Sequence, residues 1–335
     1  MKHTLFAAAA AVSVAIGGAA QAQDGASYIL STASTGGTYY PVGVALATLT
    51  KVKLEPRQKI GMNAISSAGS GENVRLLREG EAQFGILQGL FGYFAATGTG
   101  PVEADGAQDH LRSVTLLWPN VEHFVVANEH VDSGTFSDFL KLEGMNAALG
   151  RQNSGTIGSN AAILANFDID LYNDFNLIEG GYGPSAEALQ NGQAEGISTP
   201  AGPPIGAISQ LMASAGDNVT ILDFTDEELA QADGDRGLWF RYTIPAGTYS
   251  GQDADINTIA QPNFLATHAD IPEEHVYQIT KTIYENLPFL NAIHPATKAM
   301  NLEVAINGLP VPLHPGAARY YAEQGVEIPE RLMAK

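Results

Sequence analysis

The chain has 335 residues, 45% of them apolar, and a formal net charge of −19 from 36 acidic against 17 basic side chains. The acidic groups are scattered and no basic stripe interrupts them, which excludes nucleic acid and anionic membranes as partners but leaves a small anion open, because local dipoles and one or two basic groups decide a site. Cysteine is absent, which removes disulfides, thiolate metal sites, thioether haem and a lipoprotein anchor.

Lys2 and His3 precede an Ala-rich apolar run from Leu5 to Ile16, and Ala20-Gln21-Ala22 has the small-x-small spacing that signal peptidase cuts. Residues 1–22 are therefore expected to be a signal peptide cleaved near Ala22, placing the product in a Gram-negative periplasm. The run is too short for a membrane-spanning helix of about 20 residues and is broken at Gly17 and Gly18. No later stretch is apolar enough to span. The mature protein is expected to be soluble, monomeric and, at roughly 100 to 200 residues per domain, built of two domains.

Tyr28 to Ser34 reads as a strand, Thr35-Gly36-Gly37 as a turn, and Thr38 as the N-cap of a helix reaching about Val52, with Pro41 in the first turn where its missing N–H costs nothing. Ile60 to Ile65 is extended, Ser66 to Gly71 a loop, Glu72 to Glu79 a helix capped by Gly80, and Ala82 to Gln88 a strand. The grammar returns later: Ala147 to Gly150 ends a strand, Arg151 to Thr156 turns, and a helix runs through Asn160 to Asn166. Leu77-Arg78-Glu79-Gly80-Glu81-Ala82 and Leu189-Gln190-Asn191-Gly192-Gln193-Ala194 both read as helix end, glycine cap and strand entry, and eight residues past each glycine stand Gln88 and Pro200. Asp226, Glu227 and Glu228 open a helix as a solvated first turn. Trp239 to Gln252 is aromatic and Gly-rich, with no contact assigned. The strand Pro262 to His268 leads to a helix opened by Pro272, with Val276, Ile279, Ile283 and Leu287 facing core and Pro288 ending it; His294-Pro295 and His314-Pro315 read as turns.

Alternating strands and helices predict an α/β fold with mostly parallel sheets, in which ligands sit beyond the carboxyl ends of strands at helix N-termini. Two copies predict two lobes facing across a cleft: domain I over residues 24–120, domain II over 121–257, and a return to domain I over 258–335. The first lobe would present Ser34, Thr35, Gly36, Gly37, Thr38 and Tyr39, then Ser67, Ser70 and Asn73, then Gln88. The second would present Arg151, Ser154, Gly155 and Thr156, with Ala201, Gly202 and Pro203. Unpaired N–H groups at a helix N-terminus, with about half a positive charge from the dipole, suit a carboxylate or phosphate. Gln88 could read either end of an amino acid, and the planar fork of Arg151 could grip a second carboxylate. Plainer alternatives stand beside these: strand–helix packing for the Gly-rich turn, core packing for Tyr39, closure of a first helical turn for Asn73 with Ser70 as cap, and a solvated surface contact for Arg151.

Thr35-Gly36-Gly37-Thr38-Tyr39-Tyr40-Pro41-Val42-Gly43, Gly71-Glu72-Asn73-Val74-Arg75-Leu76-Leu77-Arg78, Ile244-Pro245-Ala246-Gly247-Thr248-Tyr249 and Pro312-Leu313-His314-Pro315-Gly316-Ala317 together resemble the TAXI-type solute receptors of TRAP transporters. The resemblance spans essentially the whole chain after the leader. It implies a two-lobed, hinge-connected class II periplasmic-binding-protein fold with crossover strands. It also implies a ligand such as glutamate, 2-oxoglutarate or a related dicarboxylate or amino acid, and a TRAP-type permease driven by an ion gradient as partner. The chain departs from the family at Gly150-Arg151-Gln152-Asn153, where members carry a short Gly-Pro or Gly-Ala step, so the polar end of the ligand would be read differently.

Enzyme signatures are missing. The eight His form no H-E-x-x-H or other close ligand pair, and there is no G-x-S-x-G elbow, no Gly-Lys of a P-loop and no dinucleotide fingerprint. Neither a metal nor a cofactor is expected. A ligand sensor for a signalling partner and an unrecognised periplasmic enzyme on the same fold are the alternatives to a transport receptor.

Overall fold

The computed structural model describes residues 25–334; the expected signal peptide lies outside the described residues. Strand β1 (Ala26–Ser31) buries Tyr28 and Leu30 and leads through the Gly-rich turn into α1 (Tyr39–Gln58). This helix lays Val42, Leu46 and Leu49 against the sheet. It runs past the expected end at Val52 because Leu54 still packs into the core, and it stops where Lys59 turns left-handed at φ 61°. Strand β2 (Ile60–Ile65) pairs in parallel with β1, from Ala26↔Ile60 to Ser31↔Ile65. Then come α2 (Ser70–Arg78), the fully buried β3 (Phe84–Gln88), α3 (Gly89–Thr97) and the long β4 (Leu111–Val121).

The chain now enters a second layer of β5 (Phe124–Ala127), α4 (Phe136–Leu140), β6 (Asn146–Ala148), α5 (Gly155–Ala165), β7 (Asn176–Leu177), α6 (Tyr182–Gln190), β8 (Gly196–Ser198), α7 (Gly206–Ala215), β9 (Val219–Ile221) and α8 (Asp226–Asp233). It returns through β10 (Phe240–Ile244) and β11 (Ile256–His268) and closes with α9 (Glu273–Glu285), α10 (Leu287–Ile293) and α11 (Pro315–Glu323). One sheet runs β10-β11-β3-β1-β2, with β4 also paired to β11; the other runs β7-β6-β8-β5-β9. In each lobe the core strands run parallel, β1 with β2 and β3, β6 with β7 and β8, so their carboxyl ends share one edge. One apolar cluster fills the first lobe, while the second lobe's sheet is covered on both faces, by Phe124, Phe136 and Phe139 on one side and Val125, Ile197 and Ile208 on the other. The matched glycines Gly80 and Gly192 both take left-handed backbone, φ 71° and 65°, as helix caps at those positions require.

Two antiparallel strands, β4 and β11, carry the chain between the lobes. They pair from His268↔Leu111 to Ala260↔Val121, and the pairing continues as Glu122 N–H donates to Ile259 O at 2.9 Å. Val121 also exchanges two backbone hydrogen bonds with Ala201, which stitches the loop after β8 to the crossing. Among the described residues no helix is long and apolar enough to cross a membrane.

Several local expectations are corrected. Pro288 does not end α9, which stops at Glu285; it sits in the first turn of α10, where a missing N–H is harmless. Glu228 is not solvated: it is buried, closes a capping box with Thr225, and accepts from Thr135 Oγ1 at 2.8 Å and from the Ser137 amide at 2.7 Å. His294 and His314 do more than turn the chain, since the Nδ1 of each accepts from the amide two residues on, at 3.2 Å. The Trp239–Gln252 segment packs against the crossing: Tyr249 OH accepts from Ile205 N–H at 3.0 Å and meets His123 Nε2 at 2.9 Å.

Candidate functional site

The carboxyl ends of the parallel strands in both lobes face one another, and the helices that follow four of them point their N-termini into the space between. These are α1, entered through Thr38, α2 through Gly69, α5 through Ser154 and α6 through Gly181. The cavity they enclose measures about 30 Å³, room for about two water molecules at 10–15 Å³ apiece. Each N-terminus carries unsatisfied N–H groups and about half a positive charge. The local field is therefore positive although the chain carries −19 overall.

Contacts across the cleft explain why small residues stand here. Thr38 does not cap α1 with its side chain; its hydroxyl donates to Gly202 O at 2.6 Å in the other lobe. The Glu72 amide donates to Asn153 O at 2.9 Å, and the Ala207 amide to Gly36 O at 3.2 Å. A Cβ on Gly155 would lie 2.7 Å from Gln88 Oε1 and 2.8 Å from Ser70 Oγ, and one on Gly71 would lie 2.6 Å from Asn153 O. Gly69, at φ 123°, needs the backbone freedom of glycine as well.

The polar groups of the cavity are few. Arg151 reaches from the second lobe, its Nη2 donating to Ser67 O of the first, while its Nε is buried without a partner. Gln88 and Asn120 each keep one buried side-chain atom unpartnered, Oε1 and Nδ2 respectively. Tyr182 OH donates to Pro200 O at 2.6 Å and lies 2.9 Å from Thr156 Oγ1; burial raises its pKa. Tyr39 OH donates to Asn263 Oδ1 at 2.5 Å. Beside these residues, at the crossing, stands Glu122, fully buried, with Trp239 Nε1 3.5 Å from its Oε1 and nothing on Oε2. Burial pushes this carboxyl up to about 8.

Of the residues singled out from sequence, Ser34, Gly37, Thr38, Tyr39, Ser70, Gln88, Arg151, Ser154, Gly155, Thr156 and Ala201 line the cavity. Thr35, Gly36, Ser67, Asn73, Gly202 and Pro203 do not. Asn73 is tied into its own lobe, donating to Thr32 O at 2.7 Å and Ile86 O at 2.9 Å and accepting from Ser67 Oγ at 2.7 Å. Ser70 is not the cap of α2 but its first residue, and its hydroxyl accepts from the Gln88 amide at 3.1 Å. Gly36 packs against the second lobe, where a Cβ would meet Gly183 N at 3.1 Å, and Gly202 packs on Trp118. Pro203 borders a separate groove with Trp118 and Pro245.

Sequence reasoning missed Ala33, Asn120, Gly150, Gly180, Gly181 and Tyr182 as lining residues. A signal for the last three existed: Gly180-Gly181-Tyr182-Gly183-Pro184 repeats the glycine pair, aromatic and early proline of Gly36-Gly37-Thr38-Tyr39-Tyr40-Pro41. Asn120 has no local signal, being one polar residue in a long strand. Away from the cavity, Glu129, His130 and Glu195 bring one potential ligand atom each within 4.8 Å of the others, an assembly that sequence spacing does not reveal.

The description of the NMT1-like family matches residues 30–325 of the chain. Among solved structures, the chain is similar to the MatC protein of Rhodopseudomonas palustris with bound malate at 14% identity and a TM-score of 0.57, covering 89% of this chain and 97% of that one. It is also similar to the periplasmic binding protein BugD at 12% identity and a TM-score of 0.53, covering 90% and 94%. The two-sheet α/β architecture is thus the periplasmic-binding-protein fold.

Proposed function

The chain belongs to the NMT1-like family, and from that premise we propose that it is an exported receptor that captures a small organic anion between its lobes and delivers it to a membrane permease. The observation that carries this reading is the convergence of four helix N-termini and Arg151 on one cavity of an otherwise acidic molecule. Anions are drawn to such a site by fixed dipoles that need no counter-ion.

The ligand class is a dicarboxylate or acidic amino acid, such as 2-oxoglutarate or glutamate. One carboxylate lies on the N–H groups of α1 and α2, the Arg151 fork takes the second, and Gln88 and Asn120 read the keto or amino group between them. A cavity of about 30 Å³ holds no such molecule, so the lobes, residues 24–120 with 258–335 and residues 121–257, open to admit it and close by bending at the β4–β11 crossing. The sequence motifs shared with TAXI-type receptors support a TRAP permease as partner, and the leader to Ala22 supports the periplasm as location.

A thermal-shift screen of the mature protein against 2-oxoglutarate, glutamate, malate, succinate, monocarboxylates, amines and neutral sugars tests the reading. A di-acid at 100 times its Kd should add about 2.7 kcal/mol of stability. Stabilisation by neutral or cationic solutes alone overturns the anion receptor. Uptake in proteoliposomes that persists without an ion gradient removes the TRAP partner.

A further inference from the structure

Glu122 is a buried acid to which the proposed capture cycle gives no part. It stands where the chain passes from the first sheet to the second, its backbone held on both sides: its N–H donates to Ile259 O at 2.9 Å and its carbonyl accepts from Thr258 Oγ1 at 2.9 Å. Its side chain is wholly shielded from solvent, with a weak donor at 3.5 Å on one oxygen and none on the other. Tyr39 of α1 and Tyr182 of α6, both on the cavity wall, feel its charge. Trp239 faces it from the segment before β10 and Gln261 from β11; both side chains favour its ionised form, but by less than burial disfavours it. Along its own strand His123 turns away, its ring between Val121 O and Tyr249 OH and held neutral by burial, which lowers its pKa to about 4. These neighbours, among the described residues, include no cation. An ionised carboxylate here would be desolvated, unpaired and close to the space that an anion is to occupy.

We propose that Glu122 couples capture to a proton: the closed lobes hold their anion only together with the neutral acid form of Glu122, so that wherever this carboxyl is ionised in the empty protein the anion must bring a proton with it. The proposal rests on the anion-receptor reading and adds its regulation. Two like charges disfavour each other in a dry site, so an anion in the cavity makes the Glu122 proton harder to remove, and by reciprocity loss of that proton weakens the anion. The acid is neutral at pH 7 and releases its proton when the pH passes about 8, so affinity is flat below that pH and falls above it.

Calorimetric titration with 2-oxoglutarate from pH 6 to 9.5 tests the coupling, because this probe has no group of its own that titrates in the range. The expected outcome is Kd about 10- to 30-fold weaker at pH 9.5 than at pH 6, with close to one proton taken up per ligand at pH 9, read from buffers of different ionisation enthalpy. In Glu122→Gln, a permanent mimic of the neutral acid, both the pH slope and the proton uptake should vanish. Infrared difference spectra of the ligand-free protein provide a second measurement: a protonated carboxyl band present at pH 7, absent in Glu122→Gln, should disappear near pH 8. Binding of equal strength at pH 6 and 9.5, or a Glu122 already ionised at pH 7, overturns the coupling and leaves the receptor reading intact. No 2-oxoglutarate binding at any pH in either protein overturns the ligand class and the coupling with it.

Discussion

The burial of Glu122 also makes a prediction about stability that needs no ligand. Its carboxyl is raised from 4.5 to about 8 by desolvation. Between those values the unfolded chain has released the proton and the folded chain has kept it, so folding is penalised increasingly as pH rises. The contribution is fully present below pH 4.5 and is lost progressively up to about pH 8, beyond which both states are ionised and the penalty is constant. At about 1.4 kcal/mol per pH unit, the group removes roughly 4 kcal/mol between pH 5 and pH 8. Glu122→Gln keeps the shape and hydrogen-bonding length without the titration. The difference in unfolding free energy between variant and parent should therefore grow in favour of the variant by roughly 4 kcal/mol from pH 5 to pH 8. Urea unfolding of both proteins at unit pH intervals measures it. Parallel curves for the two proteins across this range would refute the reasoning, because they would mean that the native carboxyl is solvated or paired with a cation.

Arg151→Ala should weaken binding of 2-oxoglutarate by about 10- to 150-fold, the loss of one charge-assisted contact in a closed cleft, with Arg151→Lys recovering part of it; equal Kd values by calorimetry would remove Arg151 from the site. Gly155→Val should hold the lobes apart, because its side chain would enter the space of Gln88 Oε1 and Ser70 Oγ; small-angle scattering should show a larger radius of gyration than the parent under saturating ligand, and identical values would contradict closure at this contact. Asn73→Ala should lower stability by about 2 kcal/mol in urea unfolding, since it removes the side-chain donor to the buried Ile86 O and one of two donors to Thr32 O, which keeps the Ser67 hydroxyl at 2.9 Å; a change under about 0.5 kcal/mol would show that water replaces the amide.

What depends on neighbours along the chain was legible in the order of amino acids. A strand followed by a Gly-rich turn and a helix start is legible because the turn requires residues without bulk and the helix requires a cap, and both are local demands. For this reason Ser34, Gly37 to Tyr39, Ser70, Gln88 and Ser154 to Thr156, inferred from that grammar, all reach the cavity wall. The matched glycines Gly80 and Gly192 were readable for the same reason, as left-handed caps before a strand. What depends on which residues face one another came only with the packing of the elements. A polar residue in the first turn of a helix looks the same in sequence whether its partner is a ligand or a set of carbonyls, and only the folding of β1 and β3 beside α2 gave Asn73 its bonds to Thr32 and Ile86. The glycines of the first turn likewise read as a ligand approach, whereas Gly36 proves to be where the second lobe comes close. Asn120 and Glu122 carry no local mark at all. Their placement follows from the register that pairs Asn120 with Gln261, and from the irregularity between Pro262 and Phe264 that sets which side chains of β4 face the crossing. Register is fixed by the packing of two whole strands, so no window of sequence around Glu122 could have shown that a lone acid is shut away from water beside an anion cavity.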